Sequence, residues 1–285
     1  MYRLIRSEQD ASYNDESIRH YGLNRVITSV SNDKIKFAQS LARKKDRTAA
    51  HQFLVEGTRL IEEAVRAGVN PALVFYERSA FQRDTRLRQL IVASEKTSEV
   101  YEVNSTVMNV LSETETPQGI AAILPIPNLP RPAVPRLALV LDRVRDPGNL
   151  GTILRTAWAA AVDAVFLAPE TADPFNPKVV RAGMGAHFHL PIASLSWDAI
   201  AQHLKNTPRI YLADAQSDLS FTRADWSPPC ALIVGGEAEG ASQEAQRIAT
   251  ATISIPMPGN AESLNAAVAT GILLFEAVRA INPKG

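Results

Sequence analysis

Cysteine is almost missing from this chain: Cys230 is the only one in 285 residues. A single thiol excludes an internal disulfide framework and a multi-cysteine zinc site, and it suits a reducing cytoplasm. Net charge is missing as well, with thirty Lys and Arg balanced by thirty Asp and Glu. No global field therefore steers the chain toward one class of partner, although a local basic patch is enough for nucleic acid. No apolar run approaches the roughly 20 residues that span a bilayer, so no membrane partner is expected. Glu8, Asp10, Asp15 and Glu16 speak against a mitochondrial presequence, which avoids acids. What the chain does have is 46% hydrophobic and 21% charged residues, the balance of an ordinary globular protein. Its length predicts two domains rather than one.

Residues 1–24 are polar and weakly periodic and read as a loose arm. From 25 to 124 the pattern predicts a small α/β domain. Asn32 offers an N-cap to a helix carrying Ile35, Ala38, Leu41 and Ala42. Short strands follow at Phe53–Val55, Ala72–Tyr76, Val100–Val103 and Ile120–Leu124, with helices at Leu60–Val65, Arg86–Ser94 and Thr106–Leu111. Five prolines then crowd residues 125–135 and predict a semi-rigid linker. Beyond it, the unbroken apolar run Leu137–Leu141 suits a strand buried on both faces of a parallel sheet. Similar runs recur at 165–167, 210–212, 231–234 and 252–255, separated by helices at 150–161, 177–184, 197–205, 242–249 and 263–281. The second domain, 136–285, is thus expected to be α/β with a mostly parallel sheet.

Four segments in that second domain have the composition of a site. Asp146-Pro-Gly-Asn-Leu-Gly-Thr-Ile-Leu-Arg155 follows the first strand. Gly148 and Gly151 would let backbone approach a ligand at a helix N-terminus. The spacing fits neither a GxxxxGK[ST] loop nor a GxGxxG fingerprint. Asn176-Pro-Lys178-Val-Val-Arg181 puts two cations three apart on one helical face. Gly235-Gly-Glu237-Ala-Glu-Gly240 places carboxylates among glycines at a strand end. Ile255-Pro-Met257-Pro-Gly259 breaks a strand, and a long apolar helix restarts at Ser263-Leu264-Asn265, with Ser263 a natural N-cap. His187 and His189 have only a superficial metal spacing, so no metal is expected.

Taken together, Asn149-x-Gly-x-Ile-x-Arg155, Gly235-x-Glu237-x-x-Gly240 and Ile255-Pro-Met257…Ser263-Leu264-Asn265 resemble the three motifs of the SpoU (TrmH-type) RNA 2′-O-ribose methyltransferases of the SPOUT superfamily. Upstream, Asn32…Lys36, Phe53-Leu-Val-Glu-Gly57 and Thr116-Pro-Gln-Gly-Ile120 are similar to the family's N-terminal substrate-binding domain. The likeness covers about 25–285. It departs from the family at Gly183, near which a serine is usual, and at Ala266, where valine is common.

The resemblance implies a deep trefoil knot formed by the 231–265 segments, an exception to the rule against threaded chains. It implies S-adenosyl-L-methionine as cofactor, held by Gly235, Ile255 and Leu264, with Met257 and Gly259 beside them. It implies a homodimer in which Arg155 of one subunit works near the cofactor of the other. Arg155 is expected to be catalytic, with Asn149, Glu237, Ser263 and Asn265 orienting it and the nucleotide. Because an arginine stays protonated, stabilisation of the developing oxyanion suits Arg155 better than proton abstraction. RNA contacts are expected from Lys36, Arg43, Lys44 and Arg47, read as ends of one helical face, and from Arg145, Lys178 and Arg181. The substrate implied is ribosomal RNA before tRNA. The competing readings are a non-catalytic RNA-binding or ribosome-assembly protein of the same fold, and base methylation.

Overall fold

The computed structural model of the protein describes residues 25–236, 240–259 and 261–282. The chain builds two sheets in succession. The first has five strands: β1 (Val26–Ile27), β2 (Gln52–Glu56), β3 (Leu73–Glu77), β4 (Glu99–Val103) and β5 (Ile120–Pro125). Their order is β1-β4-β3-β5-β2, with β5 antiparallel to both β3 and β2 and the other pairs parallel. Six helices accompany it: α1 (Asp33–Ser40), α2 (Lys44–Ala50), α3 (Thr58–Arg66), α4 (Arg78–Arg83), α5 (Thr85–Ser94) and α6 (Ser105–Leu111). Alternate strand residues feed opposite cores, as period-two geometry requires. Phe53, Val55, Val74, Tyr76, Ile120, Ala122 and Leu124 pack on α3, α4 and α5. Phe75, Ala121 and Ile123 pack on α1 and α6.

The second sheet has six strands: β6 (Leu137–Asp142), β7 (Ala164–Leu167), β8 (Ile192–Ser194), β9 (Arg209–Ala213), β10 (Cys230–Gly235) and β11 (Ala251–Ile253). Their order is β11-β9-β10-β6-β7-β8 and every pair is parallel. Its helices are α7 (Pro147–Ala159), α8 (Pro177–Gly183), α9 (Trp197–Leu204), α10 (Gln243–Ile248) and α11 (Ala266–Ile281). All of β6 is buried, because Leu137, Leu139 and Leu141 face α7, α8 and α11 while Ala138 and Val140 face α9 and α10. Parallel strands place their carboxyl ends together, so Gly235 sits opposite Asp142 and Ile253 opposite Ala213. Ligand sites in open α/β sheets lie outside such ends.

Three local expectations are corrected. The helix expected to run from Lys36 to Lys44 is two helices. The turns at Leu41, Ala42 and Arg43 tighten to i→i+3 bonds, and Arg43 becomes the extended N-cap of α2. Lys36 and the Arg43–Lys44 pair therefore do not share one helical face. Pro125, assigned to the linker, is the last residue of β5 and pairs with Gln52. The long helix begins at Ala266 rather than Ser263, with Asn265 as its cap.

The two sheets meet at α8. Phe53 of β2 lies 5.1 Å from Phe175 and 6.2 Å from Phe188, ring to ring. Val180 and Phe188 complete the core of the first sheet. Arg47 runs through this junction with only 3% of its surface exposed. Its guanidinium donates to the carbonyls of Leu41 and Ala42 at 2.6 Å each, which the break after α1 leaves without helical partners, and it pairs with Asp173. Arg47 faces inward and leaves the set of phosphate contacts.

Candidate active site

The loop after β6 opens α7 through a standard cap. Asp146 Oδ1 accepts from the Asn149 N–H at 2.7 Å and Pro147 takes the first helical position. The helix end is therefore already partnered by a carboxylate and is not an empty anion seat. Gly151 is required for a different reason than ligand approach. A Cβ there would lie 2.5 Å from Ala182 Cβ and 2.6 Å from the Val179 carbonyl. The glycine lets α7 and α8 touch, backbone to backbone. Gly183 is a matching case. A Cβ at that position would meet His187 Cε1 at 2.8 Å, so the His187 ring occupies the space that a side chain at 183 would need. His187 is buried, with Nε2 2.7 Å from the Pro174 carbonyl, and burial lowers its pKa to about 4.

Two of the motif segments converge at the mouth of α11. Asn265 Oδ1 accepts from the N–H groups of Ala267 and Val268, which fixes its amide orientation. Its Nδ2 then donates to Asn149 Oδ1 at 3.0 Å. This bond joins the first and last motifs, 116 residues apart. Ser263 is exposed and does not cap the helix.

Beside this contact lies a cleft of about 730 Å³ at the carboxyl ends of β9, β10 and β11. Gly235, Ile255, Met257, Ser263 and Leu264 line it. Gly259 does not. Nor do Asn149, Arg155 and Asn265, so one copy of the chain does not bring Arg155 to the cleft wall. Sequence reasoning missed Leu212–Ala215, Thr252 and Gln246, which form another wall. Their signal was present: residues 210–212 read as a strand, and its carboxyl end is where a ligand sits. It also missed Asp142. This buried carboxylate ends β6 and accepts from the Ser242 N–H at 2.6 Å, tethering the chain that follows Gly240. Glu237 lies outside the described residues.

The cleft suits a mid-sized ligand with an apolar ring and a polar chain. Its volume falls in the roughly 300–1,000 Å³ of small-molecule sites. Ile255, Met257 and Leu264 offer a slot for a flat ring, and Gly235 and Gly236 expose backbone. At Gly236 a Cβ would lie 2.4 Å from the Arg143 carbonyl, so only glycine permits this close approach.

Arg155 is exposed on α7 and makes no hydrogen bond or ion pair with the described residues. A guanidinium in that setting can take a phosphate or polarise a hydroxyl. Lys178 and Arg181 are likewise exposed on α8. Arg145 pairs with Glu170 at 2.5 Å on the surface. Lys36 is exposed beside Asp33, and Arg43 beside Asp46. Cys230 is buried, and that burial pushes its thiol up to about 11, so it is inert. Among the described residues no three His, Cys, Asp or Glu side chains cluster as metal ligands. No described helix is long and apolar enough to cross a membrane.

Comparison with known proteins agrees with this geometry. Residues 136–275 match the SpoU rRNA methylase family, and residues 32–122 match an MRM3-like substrate-binding domain. The chain is 36% identical to the 23S rRNA (guanosine(2553)-2′-O)-methyltransferase RlmP of Bacillus subtilis, over 87% of this chain and 97% of that protein. It is 33% identical to the mitochondrial rRNA methyltransferase 3 of Mus musculus, over 82% and 68% respectively. The solved AdoMet-bound rRNA methyltransferase of Sinorhizobium meliloti is 34% identical, with a TM-score of 0.77 over 90% of this chain and 97% of that one. The motifs, the cleft they surround and these relatives together make the chain a member of the SpoU family of RNA 2′-O-methyltransferases.

Proposed function

We propose that the protein methylates a ribose 2′-hydroxyl of ribosomal RNA, using S-adenosyl-L-methionine held in the 730 Å³ cleft. The observation that carries this reading is the Asn265–Asn149 bond, which joins the nucleotide-orienting motifs at the cleft mouth. Gly235, Ile255, Leu264 and Met257 would hold the cofactor. When bound, it supplies an electrophilic methyl on a sulfonium. Arg155 would bind the 2′-oxygen and stabilise its developing negative charge, because a guanidinium stays protonated and is a poor acceptor of a proton. Asn149, Ser263, Asn265 and Glu237 would orient Arg155 and the nucleotide. Positioning of this kind supplies several kcal/mol of a barrier.

Because Arg155 is absent from the cleft wall of its own chain, the active form is a homodimer in which Arg155 serves the partner's cleft. The exposed faces of Val268 (52%), Ile272 (36%) and Phe275 (50%) on α11 support this. They recur at i, i+4 and i+7 and form one apolar stripe. The 231–265 segments form a trefoil knot around the cofactor. Residues 25–124 form the RNA-binding domain, 125–135 the linker and 136–285 the catalytic domain, in a cytoplasmic protein. Lys36, Arg43, Lys44, Arg145, Lys178 and Arg181 are the phosphate contacts that remain once Arg47 is removed.

The test is methyl transfer to ribosomal RNA followed by alkaline hydrolysis, because a 2′-O-methyl blocks cleavage at that site and a base methyl does not. Calorimetry should show cofactor binding to the free protein. A chain that binds RNA but no cofactor would make it an RNA-binding protein instead. Light scattering near 31 kDa with full activity would remove the dimer.

A further inference from the structure

The catalytic helix α7 reaches the first-sheet unit through a short path of side chains. Trp158 of α7 stacks on His189, with ring centroids 4.5 Å apart and planes 1° from parallel. The His189 Nε2 lies 2.8 Å from Glu63 Oε1. Glu63 belongs to α3 and is itself held by Arg66 one turn along. The backbone is shaped to admit this carboxylate side chain. Gly185 stands at φ +101°, and a Cβ there would lie 2.7 Å from Glu63 Cγ. Trp158 follows Arg155 by three residues, so the two are neighbours on the helix surface.

Stability alone does not account for this path. His189 is exposed and Trp158 only half-buried, and a partly exposed ion pair adds little to folding. The junction is already closed by the Phe53, Phe175 and Phe188 rings and by Arg47. What the Glu63–His189–Trp158 path adds is orientation. Two flat rings in face contact, one of them bonded to a carboxylate, tie the last turn of α7, which carries Arg155, to α3.

We propose that Glu63, His189 and Trp158 are positioning residues, through which the RNA-binding unit sets the aim of Arg155 and so acts on turnover rather than on binding. The inference rests on the role proposed above for Arg155. Coupling of this kind runs through a contiguous set of packed side chains that mutation can test directly.

The experiment uses the full-length protein with ribosomal RNA and S-adenosyl-L-methionine. Trp158→Ala and Glu63→Gln should each lower kcat about tenfold or more at saturating substrates, since small misplacements of a reacting group are costly. KM for RNA and calorimetric affinity for the cofactor should stay within about threefold. Trp158→Phe, which keeps a stacked ring, should restore most of kcat. The Glu63→Gln/Trp158→Ala double variant should be no worse than the poorer single variant, because both act on one path. If Trp158→Ala does not fold, the isosteric Glu63→Gln variant carries the same readout. Unchanged kcat, or a loss confined to KM for RNA, overturns the proposal. Arg155→Ala measured alongside separates the two readings. An active Arg155→Ala variant sinks the role of Arg155, whereas an inactive one beside an unaffected Trp158→Ala sinks only the path.

Discussion

The exposed face of α7 and the inter-sheet junction use the same residue types to opposite ends. At the junction, Arg47 is buried, bonded to two carbonyls and paired with Asp173. On α7, the Arg155 side chain is exposed and without a partner among the described residues. His187 is buried and neutral beside Pro174, while His189 lies at the surface between Glu63 and Trp158. A charge whose partners lie inside the chain contributes to holding the fold. A charge left open is available to a substrate. The charge run in the sequence does not distinguish the two, because Arg47 stands in the same basic stretch as Lys36 and Lys44.

Four variants sharpen or break this contrast. Arg155→Ala should lower methyl transfer at least about 100- to 1,000-fold, leave cofactor affinity within a few fold, and move the unfolding midpoint hardly at all. Arg47→Ala should do the reverse, because it leaves Asp173 at the junction without its counter-charge. Breaking such a pair costs about 3–5 kcal/mol, readable by urea unfolding. An Arg47→Ala protein of unchanged stability but weaker RNA binding would undo the assignment of Arg47 to the interior.

His187 gives a smaller effect with a definite sign. Its folded pKa, about 4, lies below the ordinary 6.5 because burial disfavours the cation. Between these values the unfolded chain binds the extra proton and the folded chain does not. The stability is therefore full above pH 6.5 and is lost as pH falls toward 4, by about 3 kcal/mol in all. Denaturant titrations across that window should show the slope, and His187→Gln should flatten it. The smallest effect concerns the surface cations. Neutralising Lys36, Arg43 and Lys44 should weaken RNA binding. Its log–log salt dependence should flatten by roughly 0.7–0.9 for every phosphate the variant no longer neutralises. An unchanged slope would make this run a solvated face and turn attention to Lys178 and Arg181.

The sequence was legible where hydrophobic pattern decides the structure. The run Leu137–Leu141 predicts a doubly buried parallel strand, and β6 is that strand. The cap at Asn32 and the end of α6 at Leu111 fall where the pattern puts them. It was less legible where a tertiary partner decides. Nothing local to Lys44–Ala50 shows a separate helix, because α2 is anchored by Arg47 reaching Asp173, far along the chain. Ser263 has the chemistry of a cap, but Asn265 takes the position because its amide also reaches Asn149. Gly151 has the look of a ligand-facing glycine, and its reason lies in Ala182 on the neighbouring helix. Four of the five expected cofactor residues line the cleft, since the motif ends at strand termini that a parallel sheet brings together.

The order of strands in the second sheet also sets a timetable for its folding. β6, buried along its whole length, has β7 on one edge, and β7 follows soon after it in the chain. Its other edge pairs with β10, residues 230–235. A ribosome adding about 5–20 residues per second delivers that partner only after several seconds. The strand pairing of the first sheet waits for nothing so distant, since β5 closes it by residue 125, although Val180 and Phe188 join its core only later. During synthesis the paired first sheet thus precedes a nascent strand of leucine, alanine and valine with one bare edge. Such an edge is open to pairing with other chains until β10 covers it.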